Sequence, residues 1–143
     1  MGQEIAVTTL QLAMAYAAIA NGGFLMKPLL VKQIIDSNGK SIYKESPEVL
    51  RKVSKPKVMK ELTKMLTRVV ETGTGTSAHL PGWSIAGKTG TAEKFIDGEY
   101  SKTKYISNFA GFFPSDNPQI VGVVVINEPK YGFHWGGIGA APG

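Results

Sequence analysis

The sequence predicts an α/β chain of the α+β type, an antiparallel sheet flanked by helices, and three observations carry that expectation. Residues 9–21 and 56–71 read as helices, one capped at its start and closed by glycines, the other with apolar residues at helical spacing. Three β-prone runs then follow in succession, residues 83–94, 105–113 and 119–127. The links between those runs are short and rich in turn residues, which suits an antiparallel meander.

The composition bounds what such a chain can be. Its 143 residues are enough for one domain with one core. Hydrophobic residues make up 43% and charged residues 19%, a globular rather than disordered balance. The net charge of +5 comes from lysines spread along the chain, including Lys27, Lys32, Lys40, Lys44, Lys52, Lys55, Lys57, Lys60 and Lys64. They form no dense tract with interleaved aromatics, so no nucleic-acid partner is expected and the charge reads as a solvated basic surface. A mild basic excess also suits an anionic cell-wall polymer or a membrane face. With no cysteine, disulfides, thiolate metal sites and cysteine nucleophiles are excluded. His79 and His134 stand too far apart in sequence from other ligand types to suggest a metal, and no cofactor is expected. Nothing resembles a targeting segment. The longest apolar run, residues 10–20, would span about 16 Å as a helix against a bilayer core of about 30 Å.

Each element has its own signal. Thr8, with Gln11 three residues on, makes a capping box for the first helix, and Gly22-Gly23 end it. Leu10, Leu12, Ala13, Met14, Tyr16, Ala17, Ala18 and Ile19 leave that helix almost no polar face, so it belongs inside a larger body. A hairpin is expected from residues 30–35 and 41–44 around Asp36-Ser37-Asn38-Gly39, as a surface ribbon without chemistry. For the second helix, Ser54 is the expected cap and Pro56 falls in the first turn. Val58, Leu62, Met65, Leu66, Val69 and Val70 form its apolar stripe, and Gly73 ends it before a hydroxyl-rich loop over residues 72–76. The run Val121-Gly122-Val123-Val124-Val125-Ile126 is apolar on both faces, which suggests a central strand covered on both sides. Residues 95–104, containing Asp97-Gly98, should form a hairpin connection, and Pro114-Ser115-Asp116-Asn117-Pro118 a tight turn. The tail from Trp135 to Gly143 is rich in glycine.

The chemistry concentrates at Lys88-Thr89-Gly90-Thr91. On a strand, Thr89 and Thr91 project to one side and Lys88 with Gly90 to the other. Gly90 brings no side chain, so a second backbone can come close. An extended peptide could lie beside such a strand through main-chain hydrogen bonds. Two neighbouring hydroxyls can bind a carboxylate, and a lysine adds positive charge. The tetrad therefore suits a peptide that ends in a free carboxylate, although a plain strand with an exposed lysine would look the same.

Two other patterns are decoys. Gly82-Trp83-Ser84-Ile85-Ala86-Gly87-Lys88-Thr89 satisfies the P-loop spacing for nucleotide phosphates. A P-loop needs a buried strand before it and a helix from the lysine onward. Ser77-Ala78-His79-Leu80-Pro81 is no strand, and Gly90 with Asp97-Gly98 leaves little room for a helix. Ser115-Asp116-Asn117 spells a serine-acyltransferase motif, but it follows the tetrad and sits in a turn.

The surroundings of the tetrad carry a resemblance. Glu71-Thr72-Gly73-Thr74-Gly75-Thr76 precedes it, and it runs on as Gly87-Lys88-Thr89-Gly90-Thr91-Ala92-Glu93-Lys94. Phe109-Ala110-Gly111-Phe112-Phe113-Pro114, Glu128-Pro129-Lys130 and the stretch from Gly136 to Pro142 follow in order. At the start stand Ala6-Val7-Thr8-Thr9-Leu10-Gln11-Leu12-Ala13 and Ala17-Ala18-Ile19-Ala20-Asn21-Gly22-Gly23. Over nearly its whole length the chain resembles the C-terminal part of the transpeptidase domain of class B penicillin-binding proteins, the D,D-transpeptidases that cross-link peptidoglycan. Enzymes of that type use three motifs, S-x-x-K, S-x-N and K-T/S-G, and the tetrad matches the third. The resemblance implies a penicillin-binding, β-lactamase-like fold, here incomplete, with residues 1–143 as the C-terminal portion of one domain. It implies that Lys88 belongs to the polar network around a serine nucleophile, that Thr89 and Thr91 bind the carboxylate of a stem peptide or β-lactam, and that the Thr91 N–H donates to the oxyanion. It also implies a parent protein held in the cell membrane with this domain outside.

The serine itself is missing from any suitable place. Ser37/Lys40, Ser41/Lys44, Ser54/Lys57 and Ser101/Lys104 match S-x-x-K. The first two fall in the ribbon and the last in the expected hairpin connection. Ser54/Lys57 lies too close to the tetrad, with Pro56 between its members. This chain alone is therefore expected to be inactive, with the nucleophile on the remainder of the domain. An all-apolar helix and a doubly apolar strand also lack covers, so self-association is expected. The alternatives are a non-catalytic peptide- or glycan-binding module of the same fold and, further off, a nucleotide-binding loop.

Overall fold

The computed structural model describes residues 4–130 and 134–142. Gly143, the last residue of the glycine-rich tail, lies outside that range. Helix α1 spans Thr9–Ala20 and begins with the expected capping box: Gln11 N donates to Thr8 Oγ1 at 3.1 Å, and Thr8 N donates to Gln11 Oε1 at 2.8 Å. Gly22 and Gly23 follow at positive φ, 81° and 102°, a region that glycine enters without steric cost.

Next come four short strands, β1 Phe24–Met26, β2 Gln33–Ile35, β3 Ser41–Lys44 and β4 Val49–Lys52. β2 and β3 form the expected hairpin, beginning at Gln33 rather than residue 30. Its turn is held by Asp36, whose Oδ1 accepts from the N–H groups of Asn38 and Lys40, both at 2.9 Å. β1 pairs with β4 as well, a ladder not expected from the sequence. Each has only three or four residues, and their partnership spans the whole ribbon, so no local pattern announces it.

Helix α2, Pro56–Thr72, follows. Its N-cap is Lys55, with no side-chain hydrogen bond, instead of the expected Ser54. Pro56 is the reason: it forces the preceding residue into extended backbone, so Lys55 takes the boundary position. The buried face consists of Met59, Leu66 and Val70, with Leu62 partly buried. Val58 and Met65, counted in the stripe from sequence, are 52% and 64% exposed. They flank the stripe, and the contacts available within this chain cover only its centre.

After a single 3₁₀ turn at Thr76–Ala78 come β5 Ala86–Ile96, β6 Glu99–Phe113 and β7 Ile120–Asn127. They form the antiparallel meander β5-β6-β7. β5 and β6 run past the expected ends to a two-residue turn, Asp97-Gly98, with φ of 52° and 91°. Both positive values match the strand twist, as Asp-Gly turns do. The doubly apolar strand is not central. β6 occupies the middle, and among the described residues β7 is an edge, with Ile120 53% and Val125 44% exposed. A short helix α3, Gly136–Gly139, was not foreseen, because glycine is a poor helix former.

Both faces of the sheet are packed. On one, Ala86 and Phe112 join Leu66 of α2, with Tyr16, Ile19, Leu62 and Val121 around them. Burial there pushes the Tyr16 phenol above its ordinary pKa, which keeps it neutral. On the other, Phe109 meets Val70, Ala140 and Ala141, bordered by Ala78, Ile85, Val124 and Ile126. Phe109 and Phe112 point opposite ways because their positions differ by an odd number along one strand. Of α1, only Ala18 is fully buried; Leu12, Met14, Tyr16 and Ile19 are half-buried and Leu10 is exposed, so part of its apolar surface has no cover within the described residues.

Candidate functional site

The tetrad lies on β5, as the sequence predicts. Lys88, Thr89, Gly90 and Thr91 stand opposite Ala110, Phe109, Asn108 and Ser107 of β6. Among the described residues β5 pairs only with β6, so its other edge presents unpaired backbone groups. Such an edge is where an extended peptide can add as a further strand.

Lys88 is exposed, and its ammonium bends along the strand. Nζ donates to the Thr89 carbonyl at 2.9 Å, to Thr89 Oγ1 at 3.2 Å and to Thr74 Oγ1 at 3.3 Å. The sequence placed Lys88 on the face opposite Thr89. Alternation holds for the Cα–Cβ directions, but the four-carbon stem is long enough to carry the charge around the edge. Thr74 Oγ1 also lies 2.9 Å from Thr89 Oγ1. Thr74, on the loop after α2, is therefore a fourth polar partner that the tetrad pattern did not name. Its sequence signals were the hydroxyl-rich character of residues 72–76 and the place of that loop in the family resemblance.

Thr91 is tied differently. Its Oγ1 accepts the Gly136 N–H at 2.9 Å, so α3 begins against the tetrad. A Cβ at residue 136 would lie 2.3 Å from the Gly90 carbonyl oxygen and 2.6 Å from that of Asn108. A Cβ at residue 137 would lie 2.3 Å from the Thr74 carbonyl oxygen and 3.7 Å from Thr89 Cγ2. Glycines at both places let α3 settle onto the threonine side of β5. Thr89 and Thr91 thus share a side, as the alternation predicts.

Beyond the tetrad, Lys94 Nζ and Glu128 Oε1 are 2.5 Å apart. The hydrogen bond from Lys94 holds the Glu128 carboxyl below its ordinary pKa, partly opposed by desolvation and reinforced by the charges of Lys104 and Lys94. His134 stacks on Tyr105 with centroids 4.7 Å apart and touches Trp135 at 4.9 Å, while its carbonyl accepts from Ser107 Oγ. His134, Tyr105 and Trp135 therefore pack together. Among the described residues no group of three His, Cys, Asp or Glu could hold a metal.

The S-x-x-K serines lie elsewhere. Ser37 is in the β2–β3 turn, Ser41 in β3, Ser54 before α2 and Ser101 in β6, and none is a partner of Lys88. Ser115 is in the turn after β6, with its Oγ 2.5 Å from Ser84 Oγ. The P-loop pattern falls on a turn at Gly82 followed by strand, without the helix that phosphate binding requires.

This arrangement offers positive charge and hydroxyl groups of the kind that suit an anion. The Lys88 ammonium meets the Thr89 hydroxyl beside β5 and brings positive charge, its hydrogens being given to Thr89 and Thr74, while the Thr89 and Thr91 hydroxyls are groups that can donate to a carboxylate.

Comparison with known proteins places the chain. The profile of the penicillin binding protein transpeptidase domain matches residues 1–142, and the chain belongs to that family. It is 39% identical over 142 residues to stage V sporulation protein D of Bacillus subtilis, covering 99% of this chain and 22% of that protein. It is 36% identical over 142 residues to a probable peptidoglycan D,D-transpeptidase, PenA, of Neisseria meningitidis, again covering 99% of this chain and 22% of that protein. Among solved structures, it matches penicillin-binding protein 3 of Mycobacterium tuberculosis with a TM-score of 0.80 and 33% identity, covering 90% of this chain and 30% of that one. A ceftriaxone acyl-enzyme complex of penicillin-binding protein A from M. tuberculosis matches with a TM-score of 0.77 and 30% identity, covering 86% of this chain and 27% of that one. The chain thus spans about a fifth of the length of the curated relatives it matches. Its α+β fold is that of penicillin-binding transpeptidase domains.

Proposed function

We propose that this chain is the C-terminal, substrate-gripping portion of a class B peptidoglycan D,D-transpeptidase domain, and that it acts with further polypeptide carrying the serine. In the complete enzyme a serine attacks a D-Ala-D-Ala stem peptide, the terminal D-alanine leaves, and the acyl group passes to an amine of a second stem. Lys88, Thr89 and Thr91 receive the terminal carboxylate of the stem peptide or of a β-lactam. The Thr91 N–H donates to the oxyanion, a contribution typically worth about 10²–10³ in rate. The observation that carries this reading is the meeting of Lys88 Nζ and Thr89 Oγ1 at 3.2 Å on β5, a strand that pairs only with β6 among the described residues, with Thr91 two residues on along the same strand. The parent protein is anchored in the cell membrane with this domain outside, where it serves wall synthesis and division. Among the described residues no helix is long and apolar enough to cross a membrane.

Fluorescent penicillin tests the division of labour. This chain alone should show no covalent label on a denaturing gel. Labelling that disappears on Ser54→Ala would overturn the assignment of the nucleophile to other polypeptide.

A further inference from the structure

We infer that Thr74 is a positioning residue of the carboxylate site, one that sets the hydroxyl proton of Thr89 toward a terminal carboxylate and holds the Lys88 ammonium beside it as positive charge. The inference rests on the reading of the tetrad given above and extends it to a loop that no part of the three-motif pattern includes.

A threonine hydroxyl has one hydrogen and two lone pairs, and an ammonium has hydrogens only. Thr89 Oγ1, at 3.2 Å from Lys88 Nζ, therefore accepts from the lysine. Thr74 Oγ1, at 3.3 Å, does the same. Between the two hydroxyls, 2.9 Å apart, one must donate to the other. If Thr89 donates, its only hydrogen is used inside the protein and its face toward the strand edge has only acceptor character. If Thr74 donates, Thr89 Oγ1 accepts twice and its hydrogen is free to point outward. A carboxylate only accepts, so it selects the second arrangement, in which the hydrogen from Thr74 fixes the Thr89 hydroxyl with its own hydrogen turned outward. Thr91 follows the same rule: its Oγ1 accepts the Gly136 N–H and its hydrogen remains free. Both tetrad hydroxyls are then acceptors toward the protein and donors toward the ligand.

The loop holds Thr74 in place for this role. The N–H groups of Gly73 and Gly75 both donate to the Val69 carbonyl, at 3.1 and 3.0 Å, on either side of Thr74. Gly75 is buried, and the Thr74 carbonyl is packed against Gly137 of α3. Neighbouring Thr72 uses its hydroxyl on the Arg68 carbonyl at 3.2 Å, so hydroxyl content alone does not confer the contact.

The test titrates isotope-labelled chain with N-acetyl-D-alanyl-D-alanine by NMR, following the amides of β5, for the wild type, Thr74→Val and Thr74→Ser. Valine keeps the shape and removes the hydroxyl, while serine keeps the hydroxyl. Valine should weaken binding about tenfold, the upper range for one neutral hydrogen bond, and serine should stay within about threefold of wild type. Thermal midpoints of all three should agree within a few degrees. Wild-type-like binding by the valine variant, or equal losses for both variants, would overturn the role of Thr74 while leaving the proposed function standing. No dipeptide binding by the wild type would overturn the proposed function instead. In that case the unliganded Lys88 ammonium decides the role of Thr74. Solvent exchange of its hydrogens that is faster in the valine variant than in wild type and serine supports positioning, and identical exchange in all three overturns it.

Discussion

A Cβ added to Gly90 would lie 2.5 Å from Asn108 Oδ1 and 2.7 Å from Asn108 Nδ2. The two residues face each other across β5 and β6, and the Asn108 amide fills the space that a side chain at position 90 would need. Gly90→Ala should therefore push the amide aside and destabilise the fold by about 1–3 kcal/mol, the usual range for overfilling a packed site. Asn108→Ala in the same chain should recover most of that loss. Urea unfolding of the four members of the cycle measures the coupling, and simple additivity would contradict the contact.

At the far end of the sheet, acid should weaken the structure through Glu128. Its folded pKa is lowered by the Lys94 hydrogen bond, so its contribution is present above the unfolded value, about 4.3, and is lost as pH falls through the folded value. Wild type should lose stability more steeply than Glu128→Gln as the pH is lowered from about 4.3. Parallel curves of thermal midpoint against pH would show that the pair contributes nothing.

Adjacent residues of α2 should differ sharply. Leu66 is 8% exposed in the cluster with Ala86 and Phe112, and Met65 is 64% exposed. Leu66→Ala should cost about 2–5 kcal/mol in denaturant unfolding. Met65→Ala should stay within about 0.5 kcal/mol of wild type if the chain stands alone. A large loss at Met65 would mean that something covers that side of the helix.

That contrast bears on what the sequence made legible. The capping box at Thr8, the Asp97-Gly98 turn and the strand nature of Lys88 to Thr91 depend on neighbouring residues, and the structure has each of them. The β1–β4 ladder depends on residues more than twenty positions apart, which no local period records. The place of β7 is not legible because apolar faces do not say how many strands flank a strand: β6, with Ser107 and Asn108 among its residues, has partners on both sides, and β7 pairs only with β6 among the described residues. At the site, the tetrad was readable because its four residues are contiguous. Thr74 was not, because only the fold of the loop after α2 brings it to Thr89. The ammonium of Lys88 crosses to the threonine side through side-chain length, which strand alternation does not describe.

Exposed apolar surface on α1 and β7 should make the chain self-associate. Leu10 is 47% exposed, Ile120 53% and Val125 44%, apolar side chains that the described residues leave partly open to solvent. Sedimentation over a hundredfold dilution should show a mass that falls toward 15.3 kDa only at the lowest concentrations. A single 15.3 kDa species throughout would contradict it.

The central claim is that Lys88, Thr89 and Thr91 recognise a free carboxylate at the end of an extended peptide. Parallel NMR titrations with N-acetyl-D-alanyl-D-alanine and with its C-terminal amide test it most directly. The account predicts that the acid shifts the amide signals of residues 88–91 and that the amide form, lacking the charge, binds at least tenfold more weakly. Equal affinity for the two ligands, or shifts that avoid β5 altogether, would contradict it.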